Sequence, residues 1–160
     1  TPSGGATPSA AVSASPAAQP TVYTGKGYKV TIPVGWEKRA ITNGYEFRDP
    51  KQTRRYVRVQ VYSGKNVDSA IESKEKDLQK PANCEIYERI GVSPASLNAV
   101  RGSRLEYLCT PKNEDQRHGT YTVITSGGKT YRIQTSTWSD DYDQTKPIFE
   151  AFAGSFTLTT

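Results

Sequence analysis

The feature that most constrains this chain is a break in composition near residue 22. Residues 1–22 are built almost entirely from Thr, Pro, Ser, Ala and Gly and carry no charge; the first charged side chain is Lys26. Pro2, Pro8, Pro16 and Pro20 exclude regular helix and central-strand pairing. With no large side chains to bury, such a segment does not offset its ordering entropy, so a disordered tether is expected over residues 1–22. The remainder, about 138 residues, suits a single domain over residues 23–160, large enough to hold a core of its own.

Within that domain the hydrophobic pattern has mostly the period of a strand. Tyr28, Val30 and Ile32 alternate with Lys29 and Thr31. Trp36–Ile41 and Tyr45–Arg48 read as the arms of a hairpin turning at Asn43–Gly44, and Asp49–Pro50 makes the next turn. In Arg55–Tyr62 the valines 57, 59 and 61 point to one side, and Tyr56, Arg58, Gln60 and Tyr62 to the other. Asn66 is placed to cap a helix from Val67 to about Lys80, ended by Pro81; Lys74 interrupts its apolar stripe. A strand is expected from Cys84 to Val92, a turn at Ser93–Pro94, and a longer strand from Val100 to Cys109. Pro111–Gly119 reads as a polar loop. Thr120–Ser126 and Lys129–Trp138 form a hairpin around Gly127–Gly128. A last helix, capped by Ser139 or Asp140, buries Ile148, Phe149 and Phe152, after which Phe156 and Leu158 return to the core. Hairpin connections dominate, so the class is α+β, a largely antiparallel β-sheet with two main helices packed on it.

The run Gly27-Tyr28-x-Val30-x-Ile32-Pro33-x-Gly35-Trp36 resembles the PsbP-like fold family, as do Trp138 and Ile148-Phe149-x-x-Phe152-x-x-Ser155-Phe156 near the end. The chain looks most like the small exported domains of this kind in actinobacteria, which occur as lipoproteins and as extracytoplasmic sensor regions of transmembrane Ser/Thr kinases. The resemblance covers roughly residues 23–160. It implies an antiparallel sheet with helices packed on it and a protein that works by binding, and it brings no catalytic motif to carry over.

Cys84 begins one expected strand and Cys109 ends the next, positions that lie close in an antiparallel pair, so a disulfide is expected; two separate buried thiols are the alternative. A bond would agree with export. No stretch approaches the ~20 apolar residues that span a bilayer. No initiating Met, basic n-region or apolar h-region is visible, so any anchor is expected to lie outside the sequence.

Catalysis is poorly supported. His118, the single histidine, falls in the polar loop without a nucleophile elbow, and a zinc site needs about three or four soft ligands. Asp140, Asp141 and Asp143 lack the glycine and distal Glu of a calcium loop and suit helix capping better. No cofactor is expected. The patch most suited to binding is Tyr56, Arg58 and Tyr62 on the outer face of their strand, with Arg55 beside them. Charge-assisted bonds and stacking there would hold an anionic or sugar-containing ligand or a cell-envelope protein. If the patch is free surface, Arg58→Glu leaves stability nearly intact. The net charge of +5 is mild and no nucleic-acid motif is present, so nucleic acid is not expected as a partner.

The resulting expectation is a monomeric, non-enzymatic sensor domain outside the cytoplasm, tethered at the cell surface as the exported part of a membrane-anchored Ser/Thr kinase. A surface lipoprotein carrying a lipid or apolar ligand is the alternative, and a small hydrolase the lower one.

Overall fold

The computed structural model describes residues 19–159, so the first eighteen positions of the expected tether lie outside the described residues. The elements run β1 (Thr21–Thr24), β2 (Tyr28–Ile32), β3 (Glu37–Ile41), β4 (Gly44–Arg48), β5 (Tyr56–Ser63), α1 (Val67–Leu78), β6 (Ile86–Leu97), β7 (Val100–Thr110), β8 (Arg117–Ser126), β9 (Lys129–Trp138), α2 (Tyr142–Ser155) and β10 (Thr157–Leu158). A short 3₁₀ turn, Ser139–Asp141, leads into α2.

A large antiparallel sheet in the order β3-β4-β5-β9-β8-β7-β6 forms the middle layer, and a small sheet, β1-β2-β10, packs with α2 on one of its faces. The period-2 alternation decides which residues go there. Register pairs Tyr45 with Val59, Phe47 with Val57, and Val59 with Ile133, so these side chains share the face that meets Tyr28, Val30, Phe152 and Phe156. Phe47, Val57, Val59 and Phe156 have no exposed surface, and burying each such side chain stabilises the fold by about 1.5–3 kcal/mol.

On the opposite face, α1 lays Ala70, Ile71 and Leu78 against Leu105, Tyr107, Tyr121 and Val123. One helix of this length covers only part of a seven-stranded sheet. It packs on β7 and β8, and the neighbouring strip of β4, β5 and β9, carrying Glu46, Arg58 and Gln134 in register, has no helix over it.

Four expectations are corrected. β1 takes in Thr21 and Val22, which composition assigned to the tether; they pair with Ile32 and Thr31. The Ser93–Pro94 turn does not form. β6 continues through it to Leu97, because β6 is an edge strand bonded on one side only, where a residue without an N–H is tolerated. The chain reverses instead at Asn98 and Ala99, both at positive φ (48° and 71°), a two-residue hairpin turn written without the glycine that usually marks it. His118 is not at a loop tip: β8 begins at Arg117, and the imidazole stacks 3.5 Å from the Tyr142 ring with Nε2 2.6 Å from Glu106 Oε2. Finally, neither Ser139 nor Asp140 caps α2. The helix follows the 3₁₀ turn without a side-chain cap, and Asp141 accepts bonds from the Thr137 and Thr145 hydroxyls.

Candidate functional site

The open strip of the sheet and the flank of α1 enclose a cleft of about 360 Å³. Its position follows from the helix. Asn66 Oδ1 accepts from Ser69 N at 2.9 Å and starts α1, and the face that buries Ala70, Ile71 and Leu78 leaves Lys74 on the side looking across β9. Lys74 Nζ donates to Gln134 Oε1 at 3.1 Å, and Gln134 Nε2 donates to the Tyr107 hydroxyl at 2.9 Å. Arg58 from β5 and Arg117 from β8 complete a cationic triangle around the cleft, with the Tyr56 ring and Ser136 beside them. The Cys84–Cys109 disulfide (Cα–Cα 5.3 Å) forms part of the wall and ties the α1–β6 connection to the end of β7.

The three cations are held differently. Arg58 Nε bonds Glu46 Oε2 at 2.8 Å, and its guanidinium lies 4.4 Å from the Tyr56 ring centre. Glu46 is only 1% exposed and also receives Arg48 at 2.8 Å and Arg39 at 3.0 Å. Burial alone would raise its pKa; hydrogen bonds from Arg58 and Arg48 more than offset this and hold it below the usual carboxylate value. Arg117 pairs with Glu114, while its buried Nε has no hydrogen-bond partner among the described residues. Lys74 bonds only a neutral amide. Desolvation, with Arg58 nearby, lowers its pKa from the usual 10.5 to about 8.

The carboxylates lining the cleft are already engaged, Asp77 with Lys80 at 3.0 Å and Glu114 with Arg117 and Arg54. What lines the opening is the half-buried Lys74 ammonium and the Arg58 and Arg117 guanidinium groups, with the buried side chains of Ser136 and Gln134 beside them. This set suits an anion: all three cations donate, and Lys74 is bonded to a neutral amide and to no carboxylate. Among the described residues no cluster of three or more His, Cys, Asp or Glu could hold a metal ion.

Of the residues singled out from sequence, Tyr56 and Arg58 line this cleft. Tyr62 shares their face but lies at the other end of β5, its ring 4.0 Å from the Arg132 guanidinium. Arg55 is elsewhere, bonded at 3.1 Å to both Asp49 and Asp141, where it fastens the β4–β5 turn to the start of α2. Arg58 is not free surface: it pairs with the buried carboxylate of Glu46, so the condition under which Arg58→Glu would leave stability intact is not met. Lys74, Arg117, Gln134 and Ser136 escaped notice. Only Lys74 left a trace, as the charge interrupting an apolar helical stripe.

Comparison with known proteins agrees with this architecture. The chain belongs to the serine/threonine kinase C-terminal domain family, whose model matches residues 21–158. No match is found among curated protein sequences. Three solved structures are similar to it. Cyanobacterial PsbP (CyanoP) from Synechocystis sp. PCC 6803 has a TM-score of 0.71 at 20% identity, over 93% of this chain and 98% of that one. The Saccharomyces cerevisiae Ran-binding protein Mog1p has a TM-score of 0.61 at 8% identity, over 89% and 96%. LpqN, involved in cell envelope biogenesis of Mycobacterium tuberculosis, has 0.56 at 17% identity, over 89% and 91%. The fold is PsbP-like, in a kinase-associated domain.

Proposed function

We propose that this kinase C-terminal domain is a non-catalytic, extracytoplasmic sensor that holds an anionic ligand in the cleft beside α1. The observation that carries the reading is the convergence of Arg58, Lys74 and Arg117 on one opening, with Lys74 desolvated and bonded only to an amide. Keeping an ammonium there costs stability, and an anionic ligand would offset that cost on binding. The disulfide supports an oxidising compartment, and the size of the cleft falls within the range of small-ligand sites. Both cleft carboxylates are ion-paired, which favours binding over hydrolysis. The cationic lining of the cleft favours an anion over the apolar ligand of the lipid-carrier reading.

The test is isothermal titration of the 160-residue chain with glucose 1-phosphate and with inorganic pyrophosphate. Saturable binding that falls at least tenfold in Lys74→Met supports the reading; no saturable heat from either anion at millimolar concentration overturns it. Location is tested separately by adding protease to intact cells that carry the full-length kinase with a C-terminal epitope. Loss of the epitope supports an exported domain, and full protection refutes it.

A further inference from the structure

We propose a second binding site, for an acidic saccharide, in the tyrosine-lined groove at the far end of β5. This groove holds about 420 Å³ and lies between the β1–β2 turn, the β3–β4 turn and the end of the β8–β9 hairpin. It is separate from the cationic cleft. The two share no lining residue, and Arg58 in the cleft and Tyr62 in the groove lie roughly 13 Å apart along β5 at the usual strand rise.

The mouth is rigid because three turns are bonded into it. Gly25 N donates to Tyr28 O at 2.8 Å, closing the turn that carries Lys26. Val61 N donates to Asn43 O at 2.9 Å, and Gly64 N to Gly128 O at 2.9 Å, so the β3–β4 and β8–β9 turns are pinned to the end of β5. Ser63 pairs directly with Lys129.

The lining specifies the chemistry. Tyr23 and Tyr45 are half-buried on the face that covers Tyr28, Tyr62 borders the groove from the opposite face of β5 with Arg132 against its ring, and Val61 is the sole aliphatic side chain. The apolar surface is therefore aromatic, which suits a sugar's C–H face better than an acyl chain. The Tyr23 and Tyr45 rings pack against each other, centroids 5.0 Å apart at 58°, with Lys38 Nζ 4.5 Å and 5.0 Å from the two centroids, so they form one angled aromatic surface with no gap for a stacked nucleobase. Polar groups sit around the rings. Asn43, Ser63 and the tyrosine hydroxyls are placed to bond sugar hydroxyls. The Tyr23 hydroxyl stays protonated, its pKa raised to about 12 by burial and by its bond with Tyr45. Lys26 and Lys129 are exposed at the rim and no Asp, Glu or His lines the groove, so the charge favoured there is a carboxylate on the ligand.

The experiment is a ¹⁵N–¹H correlation NMR titration of the 160-residue chain with trigalacturonic acid, with cellotriose and AMP as comparison ligands. Saturable shifts at Tyr23, Lys26, Asn43, Tyr62 and Lys129 with trigalacturonate are expected, weakened at least tenfold in a Lys26→Glu/Lys129→Glu variant that melts like the parent. Both lysines are exposed, so that variant is expected to fold. Tyr62→Leu is expected to weaken binding with the charges intact. No shift in the groove at millimolar ligand overturns the proposal. So does equal or tighter binding of cellotriose or AMP there, or charge-reversed affinity equal to the parent's. Shifts confined to Arg58, Lys74 and Arg117 overturn it while leaving the cleft reading standing.

Discussion

Replacing Lys74 with Met should make the domain more stable and a poorer binder. In the folded state the Lys74 pKa is lowered to about 8 by desolvation and by Arg58, against 10.5 when unperturbed. That difference, converted at 1.36 kcal/mol per unit, amounts to roughly 3 kcal/mol of cost to the folded state whenever the lysine is charged in both states. The unfolded chain binds the proton more tightly, so this contribution leaves the fold least stable below about pH 8, and stability climbs as pH rises toward 10.5. Met fills similar volume without the charge. It forfeits the bond to Gln134, worth about 1 kcal/mol, which leaves a net gain of about 2 kcal/mol at pH 7. For a domain of this size that raises Tm by roughly 6–8 °C. Guanidinium denaturation of parent and variant at pH 7 and at pH 10.5 gives the check. The gain should be full at pH 7 and largely gone at pH 10.5. A variant less stable than the parent at pH 7, or a difference that does not change between the two pH values, would refute the argument that desolvation governs this side chain. Binding of an anion should raise the Lys74 pKa, so calorimetry near pH 8.5 in buffers of different ionisation enthalpy should register proton uptake that Lys74→Met abolishes.

Three further outcomes follow from the same geometry. Glu46→Gln leaves three arginines without their shared carboxylate and should cost about 2–3 kcal/mol in denaturant melts, below the range for fully buried pairs because the arginines are partly exposed. Since the Glu46 pKa is lowered, its contribution is present above its ordinary value and is lost as pH falls through the lowered one, so the variant's stability should decline less steeply in acid. Arg58→Glu puts a second carboxylate against buried Glu46 and should lower thermal stability markedly; a melt within a degree or two of the parent would show that Glu46 is satisfied by Arg48 and Arg39 alone. Replacing Cys84 and Cys109 by Ala opens a loop spanning 25 residues and should cost about 3.5 kcal/mol in the chain-entropy model, matched by the parent under reducing denaturation.

Much of the architecture could be read locally. Alternation in Tyr28–Ile32 and Tyr56–Tyr62, Asn43–Gly44 and Gly127–Gly128 at hairpin turns, and Asn66 ahead of α1 each act within a few residues, and each element formed where that chemistry placed it. The disulfide was also within reach, because adjacent antiparallel strands bring the start of one beside the end of the next. Pro94 misled because whether a proline breaks a strand depends on whether a neighbour bonds its other edge. His118 misled because a polar run reads as loop until β7 and β9 are known to flank it and α2 to bring Tyr142 onto its ring.

The candidate site was the least legible part, and the reason is lateral order. Period-2 alternation put Tyr56, Arg58 and Tyr62 on one face of β5, but nothing local says that β9 and β8 lie beside β5 or how far α1 reaches across them. The amino-acid sequence by itself determined the elements, their turns and the faces they present. Only the tertiary structure decided which strip of that face stayed open, that Arg58 serves a buried carboxylate, and that Lys74 loses its water there, because desolvation and pairing depend on neighbours that are distant along the chain.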